Sequence, residues 1–168
     1  MTTSINDYVD VAARLRELGC VEPTGLAILP ANLDSAESYS ELRNVSEAAT
    51  VRTLFRNEEL PFQDIHGERP KLPYIQNNSF EWVAPTIFVA ASLWSENPNA
   101  VSVALSVIAN YATDVFKGVT GKKTVKLDIV VESKKTKTTS TTTKKISYEG
   151  PLDGIKDLIP VVEDAAND

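Results

Sequence analysis

Residues 97–159 read NPNAVSVALSVIANYATDVFKGVTGKKTVKLDIVVESKKTKTTSTTTKKISYEGPLDGIKDLI. Apolar residues recur at helical spacing between Asn97, which can cap a helix, and Gly118, which can end one. From Val125 to Val131 the period changes, because apolar and polar residues alternate as on a half-buried strand. The stretch therefore predicts a buried central helix over 98–117, hairpin strands at 123–132 and 142–148, and a final helix that Pro160 ends or kinks.

The rest of the chain carries weaker patterns. Apolar residues within 4–18 share one helical face, and a β-prone run over 24–29 predicts a short strand. Two possible N-caps favour two helices, or one bent helix, over 35–59. Residues 61–80 keep no period and predict a long loop. Residues 85–95 fit either a strand or a buried helix, and we favour a helix that forms an αα-hairpin with the next one.

These elements predict an α+β fold. We expect a single domain with five to six helices and a small antiparallel sheet, built on a C-terminal β-hairpin between two helices and extended by 24–29. A length of 168 residues suits one domain. Within it we expect a helical N-terminal part over 1–60 with one short strand, the loop over 61–80, and a helix–helix–hairpin–helix unit over 84–168.

Composition argues against several classes of protein. Cys20 is the one cysteine, so an internal disulfide is excluded and a reducing compartment is favoured. The first ten residues lack the pattern of a secretory signal, and the longest apolar run, 82–94, is too short to cross a bilayer. We therefore expect a cytoplasmic protein with no membrane partner.

Charge is distributed unevenly. The net charge is −6, yet the window 117–145 holds nine of the lysines and only two acidic residues. A lysine-rich hairpin is often only a solvated edge that resists aggregation, but it can also contact an acidic protein or a phosphate backbone. With the aromatic residues of the 61–80 loop, the predicted partner-binding residues are Lys134, Lys135, Lys137, Lys144, Lys145, Tyr74 and Phe80.

Few residues point to catalysis. His66 is the sole histidine and lies close to Asp64, so a hydrolase site around His66 is one alternative. Cys20 follows a predicted helix end, where the helix dipole disfavours a thiolate, and one His with one Cys cannot complete a zinc site. No glycine-rich phosphate loop is present. We expect no enzyme, no cofactor, and no catalytic, cofactor-binding or metal-binding residue.

The order helix, two strands, helix, with ISYEGPLDG at 146–154, is similar to small accessory domains fused to bacterial conflict-system proteins. This resemblance covers about a third of the chain and carries over no residue. It implies an adaptor role in a bacterial defence or signalling system. The sequence therefore favours a protein-interaction module that can also form homo-oligomers; the alternatives are a nucleic-acid-binding protein that uses the Lys/Thr-rich hairpin, and the hydrolase.

Overall fold

The computed structural model describes residues 2–75, 82–118, 124–134 and 141–167, apart from the side chains of Ser95, Lys134 and Thr141. Along the chain the helices and strands are β1 (Thr2–Asp7), α1 (Val11–Glu17), β2 (Leu26–Leu29), β3 (Asn44–Val45), α2 (Ala48–Asn57), β4 (Tyr74–Ile75), β5 (Trp82–Val83), β6 (Thr86–Val89), α3 (Leu93–Glu96), α4 (Ala100–Val115), β7 (Thr124–Lys134), β8 (Thr141–Pro151) and α5 (Leu158–Ala166). Two short 3-10 helices occupy Tyr39–Glu41 and Leu152–Asp157.

Six of these strands form one mixed sheet. Its order is β1-β8-β7-β6-β2, and β5 pairs with β7 on the side that β6 occupies. The β7–β8 hairpin and the outer pairs β1–β8 and β2–β6 are antiparallel, whereas β5 and β6 run parallel to β7. A parallel pair needs a crossover connection, and α4 lies within the one between β6 and β7. Strands β3 and β4 form a separate parallel pair.

The sheet has a buried core on each face. On the first face, which we call the helix face, side chains from β2 and from β5 to β8 pack with α2, α4 and α5. On the second face, α1 and the loops after β2 cover side chains of β2 and β6 and Val130 of β7. Beyond Val130, toward β8 and β1, that second face carries polar side chains. The fold therefore leaves half of one sheet face without an apolar cover among the described residues.

The elements that the strongest sequence patterns predict are confirmed. The central helix is α4, whose apolar stripe is buried from Ala100 to Ala112. The two hairpin strands occur as β7 and β8, and the β-prone run over 24–29 contains β2. Asp10 caps α1 by accepting a hydrogen bond from the Ala13 amide at 3.1 Å, and Gly19 follows the helix at a φ of 75°.

The predicted fold class is wrong. The described residues form four α-helices longer than a single turn and a six-stranded mixed sheet, not five to six helices with a small antiparallel sheet. The hairpin is the middle of this sheet rather than its whole extent, and β6 lies between β7 and β2. The error has one physical cause: strands with little local signal are stabilised by pairing with distant strands.

The predicted first helix is wrong over its first half. Residues Thr2–Asp7 form β1, because they pair with β8, and the helix begins only after the cap at Asp10. The stretch 35–59 contains a 3-10 turn, β3 and one helix, α2, instead of two helices.

The predicted helix over 85–95 is also wrong. Residues Thr86–Val89 form β6, and only the single turn Leu93–Glu96 is helical. Ile87, Phe88 and Val89 are all buried because β6 is covered on both faces, which produces a continuous apolar run without alternation. Pro160 does not end a helix; it lies in the first turn of α5, where a missing amide donor is tolerated.

No helix within the described parts of the chain is both long enough and apolar enough to cross a membrane.

Candidate functional site

An ion-pair cluster surrounds Asp64 and includes the sole histidine. Asp64 accepts a hydrogen bond from the Arg56 guanidinium, and its second carboxylate oxygen lies 3.6 Å from Arg52 Nη1. His66 Nε2 lies 3.8 Å from Asp64 Oδ2, and His66 Nδ1 lies 3.0 Å from the carbonyl oxygen of Gly67. Because both arginines belong to α2 and Asp64 to the following loop, the cluster anchors that loop to the helix.

The cavity beside this cluster is small, with a volume of about 20 Å³. Asn44 Oδ1, Arg52 Nε and His66 Nε2 are buried and have no hydrogen-bond partner among the described residues. The described side chains that line the cavity include no Ser, Thr or Cys that could act as a nucleophile. A volume of this size holds a water-sized group. Among the described residues, the cavity that His66 lines is water-sized, and the ion pairs of Asp64 support a structural anchor; the hydrolase alternative stays a prediction.

Cys20 is only partly buried, and its amide donates a hydrogen bond to the carbonyl of Leu15 at 2.8 Å. Burial raises the pKa of the Cys20 thiol, while the nearby charge of Arg69 lowers it to a smaller extent. A thiol with a raised pKa is a poor nucleophile at neutral pH. Among the side chains that the structure describes, no group of three or more His, Cys, Asp and Glu could hold a metal ion.

The predicted partner-binding residues are spread over the structure. Lys135, Lys137, Phe80 and the side chain of Lys134 lie outside the described residues. Tyr74 lies in β4, is 47% exposed, and borders the cavity beside Asp64. Lys144 and Lys145 lie on β8, in a different sheet. Of the predicted set, the described part of the chain places only Lys144 and Lys145 on one strand, and their side chains point to opposite faces of the sheet.

Lys145 is held by neighbours within the protein. Its Nζ lies 3.6 Å from Asp128 Oδ2 and 5.5 Å from the centre of the Tyr8 ring. An acidic and an aromatic neighbour both stabilise the cation where it is. Lys145 therefore contributes less free positive charge to a binding surface than the sequence pattern indicates.

The uncovered half of the second sheet face forms an open depression of about 310 Å³. The strand register places Lys126 opposite Glu149, and Asp128 opposite Ser147. Opposite charges therefore alternate across this surface, and no single sign dominates it. The polar side chains that line the depression are Thr2, Ser4, Lys126, Asp128, Ser147 and Glu149.

Strand β1 borders this depression and is the exposed edge of the sheet. All six of its residues, TTSIND, are exposed, and β8 is its only partner among the described strands. The segment contains no Lys, Arg or Pro, residues that commonly protect an edge strand from pairing with another chain. An unprotected edge offers backbone donors and acceptors to a further strand.

The register shows which backbone groups face outward. The Tyr8 amide donates to the Thr143 carbonyl at 3.0 Å, continuing the β1–β8 pairing by one residue. Hydrogen-bonded positions alternate in an antiparallel pair, so the even-numbered residues of β1 bond to β8. The amides and carbonyls of Thr3, Ile5 and Asp7 therefore point away from the sheet.

The opposite edge of the sheet is covered at Leu26. The Leu26 amide of β2 donates to the Pro61 carbonyl at 2.8 Å, and the Gln63 amide donates to the Leu26 carbonyl at 3.0 Å. The loop passes so close that a Cβ at Gly25 would overlap the Pro61 carbonyl oxygen. The two edges thus differ: the segment 61–63 pairs with β2 at Leu26, whereas no described segment pairs with the outer side of β1.

The sequence pattern does not indicate this edge, because the apolar spacing over 4–18 predicts one helix. Thr2, Thr3 and Ile5 are β-prone, and this is the only local signal. The pairing partner lies at 144–149, almost a full chain length away, so the segment itself cannot indicate it.

Comparisons of the chain with protein-family models, with curated proteins and with solved structures give no match. The similarity of 146–154 to bacterial accessory domains therefore stays a prediction.

Proposed function

We propose that this protein is a protein-interaction module that binds an extended segment of its partner along the outer edge of β1. One observation carries the proposal: Thr3, Ile5 and Asp7 direct their amides and carbonyls away from a strand that has no covering element among the described residues. In strand addition, main-chain hydrogen bonds supply affinity and alternate side chains supply specificity.

The surroundings of the edge support strand addition. Every second side chain of an added strand would lie over the second face, next to the open depression that Thr2 and Ser4 line. The intervening side chains would lie over the helix face, next to Ile5, which is half exposed. A bound segment would therefore meet polar groups on one side and an apolar side chain on the other.

Peptide selection tests the proposal. A random peptide library is panned against the wild-type protein, and the binders are then measured against Ile5→Pro and Ile5→Thr. Ile5→Pro removes an outward amide without breaking a bond to β8, and edge strands tolerate proline at such positions. Ile5→Thr keeps the amide and serves as the matched control. We expect binding to be lost in the first variant and kept in the second.

Amide hydrogen exchange provides the second measurement. A bound strand should protect the amides of Thr3, Ile5 and Asp7, whereas those of Ser4 and Asn6 already bond to β8 and should change little. Peptides that bind Ile5→Pro as well as wild type would contradict the proposal. Protection of amides on other strands would contradict it too.

A further inference from the structure

Five isoleucines lie side by side across the whole sheet. The register aligns Ile28 with Ile87, Ile87 with Ile129, Ile129 with Ile146, and Ile146 with Ile5. The first four are at most 7% exposed, on the helix face, whereas Ile5 is 50% exposed. Residues directly opposite each other in neighbouring strands point to the same face. The isoleucine row therefore ends on an exposed side chain at the open edge.

Pairing of β1 with a second copy of itself is restricted by geometry. Two copies related by a two-fold axis meet antiparallel. A residue whose amide and carbonyl point outward must then face a residue of the second copy whose amide and carbonyl also point outward. An axis beside Ile5 pairs Ile5 with Ile5 of the second copy, and Thr3 with Asp7 of the second copy. In this register Thr3, Ile5 and Asp7 each face a residue in β1 of the second copy whose amide and carbonyl also point outward.

The side chains suit the same register. A two-fold axis perpendicular to the sheet keeps the helix faces of both copies on one side, so the two Ile5 side chains meet and the isoleucine row continues across the interface. Asp7 lies opposite Thr3, and no like charges oppose each other. An axis beside Asn6 would instead place the Asp7 carboxylate opposite Ile5, where it would have no polar counterpart.

We propose that the partner at the β1 edge is a second copy of this chain, paired antiparallel with Ile5 opposite Ile5, so that two sheets join into one. This inference rests on the proposed function, since it names the occupant of the same edge. One strand from each copy makes a limited contact, so the dimer forms and dissociates with protein concentration.

Sedimentation velocity over a concentration series tests the association. Wild type should shift from monomer to dimer as concentration rises. Ile5→Lys should stay monomeric, because it would oppose two ammonium groups across the axis. Val115→Lys is the matched control, since Val115 is an exposed apolar residue on α4, 41% accessible, and this variant should dimerise like wild type. Equal melting temperatures would show that both variants fold.

Disulfide trapping tests the register, in a Cys20→Ser background. Ile5→Cys should crosslink to itself under mild oxidation, because facing Cα atoms in such a pair are about 5.5 Å apart. Asp7→Cys alone should not crosslink, but a mixture with Thr3→Cys should give the mixed disulfide. Crosslinking of Asp7→Cys to itself would overturn the register.

The two proposals fail differently. A wild type that stays monomeric at every concentration, or a dimer that Ile5→Lys leaves intact, overturns the second copy as partner. Peptides that bind wild type and not Ile5→Pro would still support strand addition in that case. If wild type stayed monomeric and no peptide binding depended on the Ile5 amide, the proposed function would be overturned as well.

Discussion

The hydroxyl of Tyr148 lies against the backbone of Gly154 and donates a hydrogen bond to the Pro151 carbonyl at 2.6 Å. Tyr148 is 2% exposed, so its ring is enclosed by the protein. A Cβ at Gly154 would overlap the hydroxyl oxygen and lie 2.9 Å from the ring carbon that carries it. The contact joins the end of β8 to the turn that leads into α5.

Gly154→Ala should therefore destabilise the protein by about 1–3 kcal/mol, the usual cost of forcing extra volume into a packed site. Denaturant unfolding measures the change. Tyr148→Phe removes the hydroxyl, so the loss caused by Gly154→Ala should be smaller in that background. Equal losses in both backgrounds would show that the hydroxyl does not restrict this position.

Ile108→Asp should unfold the domain. Ile108 is fully buried in α4, at the centre of the core beneath the helix face, and a carboxylate there would have no partner. Such substitutions cost about 4 kcal/mol or more. Asn110→Asp places the same charge on an exposed position of the same helix and should melt close to wild type. Circular dichroism melting would contradict the burial of α4 if Ile108→Asp also melted like wild type.

Asp64→Asn should loosen the loop that follows α2. The substitution removes the charge that Arg52 and Arg56 share, leaving a mostly buried guanidinium at Arg52 without its counter-ion. We expect a loss of about 1–2 kcal/mol and faster proteolysis within the loop 61–66. Asp114→Asn, an exposed acid on α4, is the control. Unchanged proteolysis in Asp64→Asn would mean that the cluster does not hold the loop.

Stability should fall at alkaline pH through Tyr8. Burial, with smaller effects of Asp34 and Asp128, raises the pKa of Tyr8 from 10.0 to about 12. The folded state thus favours the neutral phenol. The contribution of Tyr8 to the stability of the fold is complete below pH 10 and is lost as pH rises through about 12. Urea unfolding between these limits should show a steeper loss for wild type than for Tyr8→Phe. Parallel curves would contradict the raised pKa.

The parts of the fold that the sequence predicts are those with a long, regular period. Helix α4 has four turns of buried apolar stripe, and the β7–β8 hairpin has a clear alternation, so both are found with nearly correct bounds. Strand β6 lacks alternation because it is buried on both faces, and a short apolar run of that kind fits a helix equally well. Local pattern therefore identifies an alternating strand better than one that is buried on both faces.

The candidate site could not be predicted in the same way. An open edge is a property of the assembled sheet: Ile5 is exposed because no described strand pairs beyond β1, and its outward amide follows from the register with β8. The lysine pattern is visible in the sequence, but the ion pair that holds Lys145 depends on Asp128 of the neighbouring strand.

The pairing of Thr2 with Glu149 also has a consequence for biosynthesis. During synthesis β1 must wait for β8, because residues 8–140 separate the two strands. Closing so long a loop costs entropy and slows folding. Until β8 has been synthesised, residues 2–7 lack the strand with which they pair, and they stay available to chaperones or to another nascent copy on the same messenger RNA.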